Sequence, residues 1–203
     1  MPEEFIRWLN ASYIEVLGAL LGLAYIFLSV RQNILTWPVG LLTSALYVYV
    51  FYASKFYADM ALQVYYVLVS IYGWYYWLKG NPAGQGKVAA VPVERTPLRY
   101  WVPILALSVA LFLLIAFVLK DYTDSPIPVW DALTTALSIV ATWMLARKYL
   151  ENWLLWIFID LLSAVLYGVK NLWPTVVLFI VYTIMAVQGY FSWKKDLIIR
   201  QAG

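Results

Sequence analysis

The chain has 203 residues, of which 64% are hydrophobic and 12% charged, about half the charged share of ordinary soluble domains. A soluble domain of this size cannot keep so much apolar surface from water, so composition excludes one and leaves the lipid bilayer as the solvent. With no cysteine, no histidine and a scattered net charge of +3, it also excludes a disulfide framework, thiolate chemistry, histidine-held zinc and a basic run for nucleic acid.

Residues 1–13 begin with Pro2, Glu3 and Glu4 instead of basic residues, so no cleavable signal peptide is expected. A helix needs about 20 mostly apolar residues to cross the hydrocarbon core, and the chain offers seven such stretches. The first runs from about Tyr13 to Val30, the second from Ile34 to Ser54 and the third from Tyr57 to Leu78. A polar break rich in Gly and Pro follows, from Lys79 to Arg99. The fourth stretch covers about Tyr100 to Leu119, and a second break, Lys120 to Pro128, separates it from the last three. Those run from Val129 to Ala146, Asn152 to Lys170 and Leu172 to Trp193. Arg7, Lys55, Lys120 and Lys170 fall on the N-terminal side of these spans, and the other ten lysines and arginines fall on the opposite side. The bias predicts an N-terminus outside and a C-terminus in the cytoplasm.

The first three stretches resemble the last three. Glu15 and Arg31 are spaced like Asp131 and Arg147, and Asn33, Trp37 and Ser44 pair with Asn152, Trp156 and Ser163 at an interval of 119. Tyr52 and Lys55 pair with Tyr167 and Lys170, and Gly73–Trp77 ends its stretch as Gly189–Trp193 does. The predicted fold is therefore an all-α polytopic membrane protein of seven transmembrane helices, two three-helix repeats joined by one linker helix. Residues 1–78 form the first repeat; 79–128 hold a cytoplasmic loop, the linker helix and an outer loop; 129–203 form the second repeat and a cytoplasmic tail. By parity the repeats run parallel, the plan of carriers that bind substrate near the bilayer midplane and alternate access between the two sides.

Polar side chains within the spans recur at helical spacing. Asn152, Trp156, Asp160, Ser163 and Tyr167 share one face of the sixth helix, as Asn33, Trp37, Gly40, Ser44 and Tyr47 do on the second. Asp59, Gln63, Tyr66, Ser70 and Gly73 stripe the third, and Asp131, Thr135, Ser138 and Thr142 the fifth. Lipid penalises such faces, so they are expected inside the bundle. The fifth stripe is equally a packing seam, and Trp8, Trp77, Trp101 and Trp193, near helix ends, are expected as interfacial anchors. Asp160 stands apart, because a carboxylate some eight residues into a span is expensive and usually functional. Trp37-Pro38 reads either as a kink or as a helix start, and Trp173-Pro174 as a helix start.

The segments ILTWPVG (34–40), YADMALQVYYVLVSIYGWYYW (57–77), DALTTALSIVATWMLARK (131–148) and ENWLLWIFID (151–160) closely resemble the PnuC family of bacterial vitamin transporters. The resemblance implies a SWEET-like fold, a homotrimer in the bacterial inner membrane and facilitated uptake of nicotinamide riboside, trapped afterwards by cytoplasmic phosphorylation. Relatives carry thiamine or, more distantly, riboflavin. The family's WxxW motif falls on Trp153 and Trp156. The stripes add Asn152, Asp160, Gln63, Tyr66, Trp37, Asn33 and Tyr182 as candidate substrate contacts. Nicotinamide riboside carries a permanent positive charge on a flat ring, which indole faces attract. Asp160 supplies a counter-charge, while Asn152, Gln63 and the tyrosines suit the carboxamide and ribose hydroxyls.

The sequence thus predicts a uniporter with no cofactor and no metal, whose partners are a small vitamin and the lipid bilayer. A phosphorylated nucleotide is disfavoured, because no arginine falls within the spans to meet a dianion. An intramembrane enzyme is the rival from another class, but no base stands near a serine to activate it. A seven-helix sensor is the third reading, and the parallel repeat argues against it.

Overall fold

A computed structural model describes residues 17–53, 57–79, 91–123, 125–169 and 171–202. The start of the first predicted span with Trp8 and Glu15, the turns at Lys55 and Lys170, and residues 80–90 of the polar break lie outside the described residues. Seven helices stand among the described residues: α1 (Leu17–Val30), α2 (Thr36–Ala53), α3 (Tyr57–Lys79), α4 (Leu98–Tyr122), α5 (Pro128–Ala146), α6 (Asn152–Val169) and α7 (Trp173–Ala202). Helices are the expected answer to lipid, which offers backbone N–H and C=O groups no partners but their own. Four of them, α4 to α7, are long and apolar enough to cross a membrane, and the chain is a multi-pass membrane protein. The chain divides within α3 into two compact units, Met1–Ile71 and Tyr72–Gly203.

In the first unit, α1 turns into α2 through Gln32, whose φ of 52° closes the reversal. The exposed Asn33 accepts the Leu35 N–H on its side-chain oxygen at 2.9 Å, which fixes the approach to α2. The buried hydroxyls of Ser29 and Thr36 lie 2.6 Å apart and share the Tyr25 carbonyl, at 2.8 and 3.1 Å. Pro38 is the third residue of α2, where its missing N–H has no intrahelical acceptor to lose. Of the two readings of Trp37-Pro38, the helix start holds.

In the second unit, α4 packs on α5, α5 on α6 and α6 on α7. Ile104, Val140, Met144 and Tyr149 form the core where α4 and α5 meet the α5–α6 turn. The end of the predicted polar break is ordered as a strap. Glu94 gives its N–H to the Lys148 carbonyl (3.1 Å) and its carbonyl accepts the Leu150 N–H (2.9 Å). Thr96 gives both its N–H and its hydroxyl to one Glu151 carboxylate oxygen, each at 2.8 Å. Pro97, extended at φ −57° and ψ 138°, leads from the strap into α4. Helix α7 does not stop at Trp193 as predicted but continues as the helical tail to Ala202, because Ala186, Gly189, Trp193 and Leu197 extend one buried stripe.

The helix boundaries of the first and last three helices recur at one interval. Thr36 and Asn152 begin α2 and α6, Ala53 and Val169 end them, and both pairs are 116 residues apart. The same interval separates Val30 from Ala146, Tyr57 from Trp173, and the two positive-φ turn residues Gln32 and Lys148, at 52° and 56°. At that interval Trp37 falls opposite Trp153, whereas the sequence match at 119 pairs it with Trp156. The two intervals differ by three residues, nearly one helical turn, so both pairings keep a similar face.

Candidate functional site

The α6 helix has two unlike sides. Leu154, Phe158, Leu161, Val165 and Val169 are exposed along one, as lipid-facing residues should be. Asn152, Trp153, Ile159, Asp160, Ser163 and Ala164 are buried along the other. Trp156 and Tyr167 stand in the middle of that second arc and yet are only half-buried. Their rings therefore border open space on the side of α6 turned away from lipid.

Around this face the polar groups are incompletely matched. Asn152 is fully buried; its amide nitrogen donates to the Tyr149 carbonyl at 2.6 Å, while its side-chain oxygen has no hydrogen-bond partner among the described residues. The Trp153 Nε1–H is likewise buried without an acceptor among them. Asp160 is 3% exposed, and no hydrogen bond or ion pair holds its carboxyl among the described residues. Buried polar groups in native proteins are nearly always hydrogen-bonded, which sets these three side chains apart.

The two tryptophans of the WxxW motif differ. Trp153 is wedged against α7: a Cβ placed on Gly189 would lie 2.7 Å from its ring, so only glycine admits it. It meets Trp193 edge-on at 5.3 Å, and Trp193 in turn meets Trp77 at 6.4 Å. Trp77 and Trp193 are 3% and 0% exposed, so the expectation of interfacial anchors fails for both. Their i, i+4 spacing from Gly73 and Gly189 was the available sign that they pack across a helix contact. Trp101, 40% exposed, is free to sit at an interface.

At the same end of α6, Trp77 donates its indole N–H to the Ala146 carbonyl at 3.0 Å. Lys148, fully buried, sets its ammonium 4.3 Å from the centre of the Trp77 ring. Burial pushes it down from 10.5 to about 8, helped by the nearby Arg200 and opposed by Asp196. Arg147 stacks 4.7 Å from the Tyr76 ring centre and donates to the Tyr72 hydroxyl at 3.2 Å, which hold its pKa above the ordinary arginine value. Sequence reasoning missed this cluster, since it counted both cations only as charges in a loop.

The remaining candidates are distributed between the units. Tyr182 is half-buried on α7, next to Phe179 at 5.8 Å. In the first unit Trp37 is fully buried, Gln63 and Tyr66 are half-buried on α3, and Asn33 is occupied as the turn cap of α2. The α5 stripe behaves as a seam: Thr142 is buried and back-bonds to the Ser138 carbonyl at 2.7 Å, while Asp131 accepts from the Ser125 hydroxyl at 2.6 Å.

Comparison with known proteins matches these features to one family. A nicotinamide riboside transporter, PnuC, of Escherichia coli (strain K12) is 27% identical, over 91% of this chain and 86% of its own. A riboflavin/roseoflavin transporter, RibM, of Streptomyces davaonensis is 26% identical, over 93% of this chain and 92% of its own. The crystal structure of the vitamin B3 transporter PnuC superposes with a TM-score of 0.71 at 26% identity, covering 95% of this chain and 85% of that one. The model of the nicotinamide mononucleotide transporter family matches residues 12–195, and with nine-tenths of its length so matched the chain belongs to that family of membrane transporters.

Proposed function

We propose that this chain is a uniporter for nicotinamide riboside in the bacterial inner membrane, moving its substrate down a gradient that cytoplasmic phosphorylation maintains. The observation that carries the reading is the α6 face, where the half-buried Trp156 ring lies one turn from the buried Asp160 carboxyl, which no described residue partners. A flat pyridinium is the ligand that uses both, by cation–π attraction to the indole and by charge to the carboxylate. Asn152 brings an acceptor and Trp153 a donor that no described residue meets, the pair a carboxamide answers with its NH2 and its oxygen. Tyr182 on α7 belongs to the reading as a further contact for the ribose.

The shared interval of 116 residues between the two helix triplets supports seven spans arranged as two parallel repeats around a linker, α4. Lysines and arginines gather on the side of the α5–α6 turn, which supports a cytoplasmic C-terminus and an outer N-terminus. The long, largely exposed α4 suits contact with further copies in a homotrimer. The riboside is favoured over the mononucleotide because α6 carries no lysine or arginine to meet a phosphate dianion.

Titration of the detergent-solubilised chain with nicotinamide riboside, thiamine and riboflavin, followed by uptake into liposomes without ion gradients, tests the reading. Nicotinamide riboside is expected to bind and to enter passively. Thiamine or riboflavin binding in its place would reassign the cargo, and uptake abolished by an uncoupler would end the uniport assignment.

A further inference from the structure

We propose that Asp160 makes this carrier a reader of ligand charge: it accepts the oxidised pyridinium nucleoside and passes over the reduced dihydropyridine form of nearly the same shape. The inference rests on the pyridine-nucleoside reading above and adds a selectivity to it. Asp160 is 3% exposed in the middle of α6, among the buried Ile159, Ser163 and Ala164, with no hydrogen bond or ion pair among the described residues. An ionised carboxyl in such surroundings is costly by itself, and a partner of opposite charge relieves that cost. No lysine or arginine lies within α6. The partner is therefore sought in the ligand.

Geometry on the helix makes the pairing specific. Trp156 and Asp160 are four residues apart, so their Cβ atoms lie about 5–6 Å from each other on one face. A ring laid on the Trp156 indole consequently comes within reach of the Asp160 carboxyl. The oxidised ring brings a positive charge that both side chains attract. Reduction adds a hydride to that ring, which removes the charge and the aromaticity while leaving carboxamide and ribose in place. The reduced form keeps every hydrogen bond and loses both electrostatic attractions. Steric fit alone would scarcely separate the two.

The test is calorimetric titration of the full chain in detergent with nicotinamide riboside and with its 1,4-dihydro form, in the native protein and in Asp160→Asn. The native protein is expected to prefer the oxidised form by about tenfold or more, each factor of ten being a difference of about 1.4 kcal/mol. Asp160→Asn is expected to narrow that preference to about threefold or less by weakening the oxidised form, with affinity for the reduced form unchanged. Equal binding of the two forms by the native protein overturns the proposal without any variant, and so does an Asp160→Asn protein that keeps the full preference. If the native protein binds neither form, the nicotinamide riboside reading itself falls and this inference with it. Should Asp160→Asn fail to fold, Asp160→Glu, which keeps the charge, must still prefer the oxidised form, and loss of preference there would count against the idea.

Discussion

The α2 and α6 helices have the same length and start and end 116 residues apart, yet they present different chemistry. At corresponding positions α2 offers Thr36, Trp37, Gly40, Ser44 and Tyr47 where α6 offers Asn152, Trp153, Trp156, Asp160 and Ser163. The two tryptophans that match, Trp37 and Trp153, are 0% and 1% exposed, so the shared feature is the packed one. What differs is the face that borders open space on α6. There α2 has Gly40, whose missing side chain leaves room for the Tyr25 ring, 2.9 Å from a Cβ placed on it. Of two helices of equal length, α2 is thus closed over by a tyrosine and α6 is left open with an acid and an indole.

The sharpest way to break this comparison is to truncate the tryptophans. Trp37→Ala and Trp153→Ala each remove a buried ring and should cost about 3–5 kcal/mol of stability, seen as a large fall in melting temperature in detergent. Trp156→Ala should leave the melting temperature nearly unchanged and weaken nicotinamide riboside binding by about tenfold or more, the range of a desolvated cation–π contact. If Trp153→Ala instead melted like the native protein, the Trp153 ring would not be a packing element of the α6–α7 contact.

Gly189→Ala probes the same wedge from the α7 side. The added methyl would sit 2.7 Å from three atoms of a buried indole that has no room to turn. A cost of about 1–3 kcal/mol is expected from overpacking. Combining it with Trp153→Phe should recover part of that loss, and a double variant with strictly additive losses would mean that the two residues do not meet.

These contrasts show what could be read from sequence. Seven helices, the isolation of Asp160 and the two-sidedness of α6 follow from apolar length and from a 3.6-residue period, both local properties. The family followed from four short segments. The roles of Trp77 and Trp193 did not follow, because a tryptophan near a helix end looks the same whether it faces the membrane interface or a glycine on a neighbouring helix. The interval of 116 residues between helix ends was not legible either, since polar residues recur every three or four positions and an offset of three still pairs Asn, Trp and Ser. The strap was hidden for another reason: Glu94 and Thr96 lie in a Gly- and Pro-rich stretch, and they are held by the backbone of Lys148 and Leu150 and by the Glu151 carboxylate, more than fifty positions away.

That strap has no described counterpart in the first unit, and it bears on the open face of α6 because Glu151 immediately precedes Asn152. Thr96→Val removes the hydroxyl that Glu151 accepts at 2.8 Å and leaves the Thr96 backbone bond in place. A loss of about 0.5–1.5 kcal/mol is expected, the usual worth of one hydrogen bond. Faster amide exchange at Glu94 and Leu150, with exchange elsewhere unchanged, would mark the strap as the part released. Unchanged exchange there would mean that the Glu94 ladder holds without the Thr96–Glu151 contact.

The smallest expected effect compares the two positive-φ turn residues, Gln32 and Lys148, which share a backbone shape and differ in charge. Burial brings the Lys148 ammonium down to about 8 in the folded protein, against 10.5 for an ordinary lysine. Below about pH 8 both states hold the proton and the folded state bears the full cost of a buried cation. Between about 8 and 10.5 the folded state has released the proton while the unfolded chain still binds it, so this group makes stability rise with pH across that window. Lys148→Gln, which copies the residue of the first unit, removes the titration but keeps a polar side chain. The native protein should therefore gain more melting temperature between about pH 7.5 and 10 than Lys148→Gln does. Tyrosines and other lysines contribute to both curves and cancel in the difference. Parallel curves would mean that Asp196, which favours the charged form, holds Lys148 protonated through the whole range, and that the turn is tied to the α7 tail by charge instead of by the Trp77 ring.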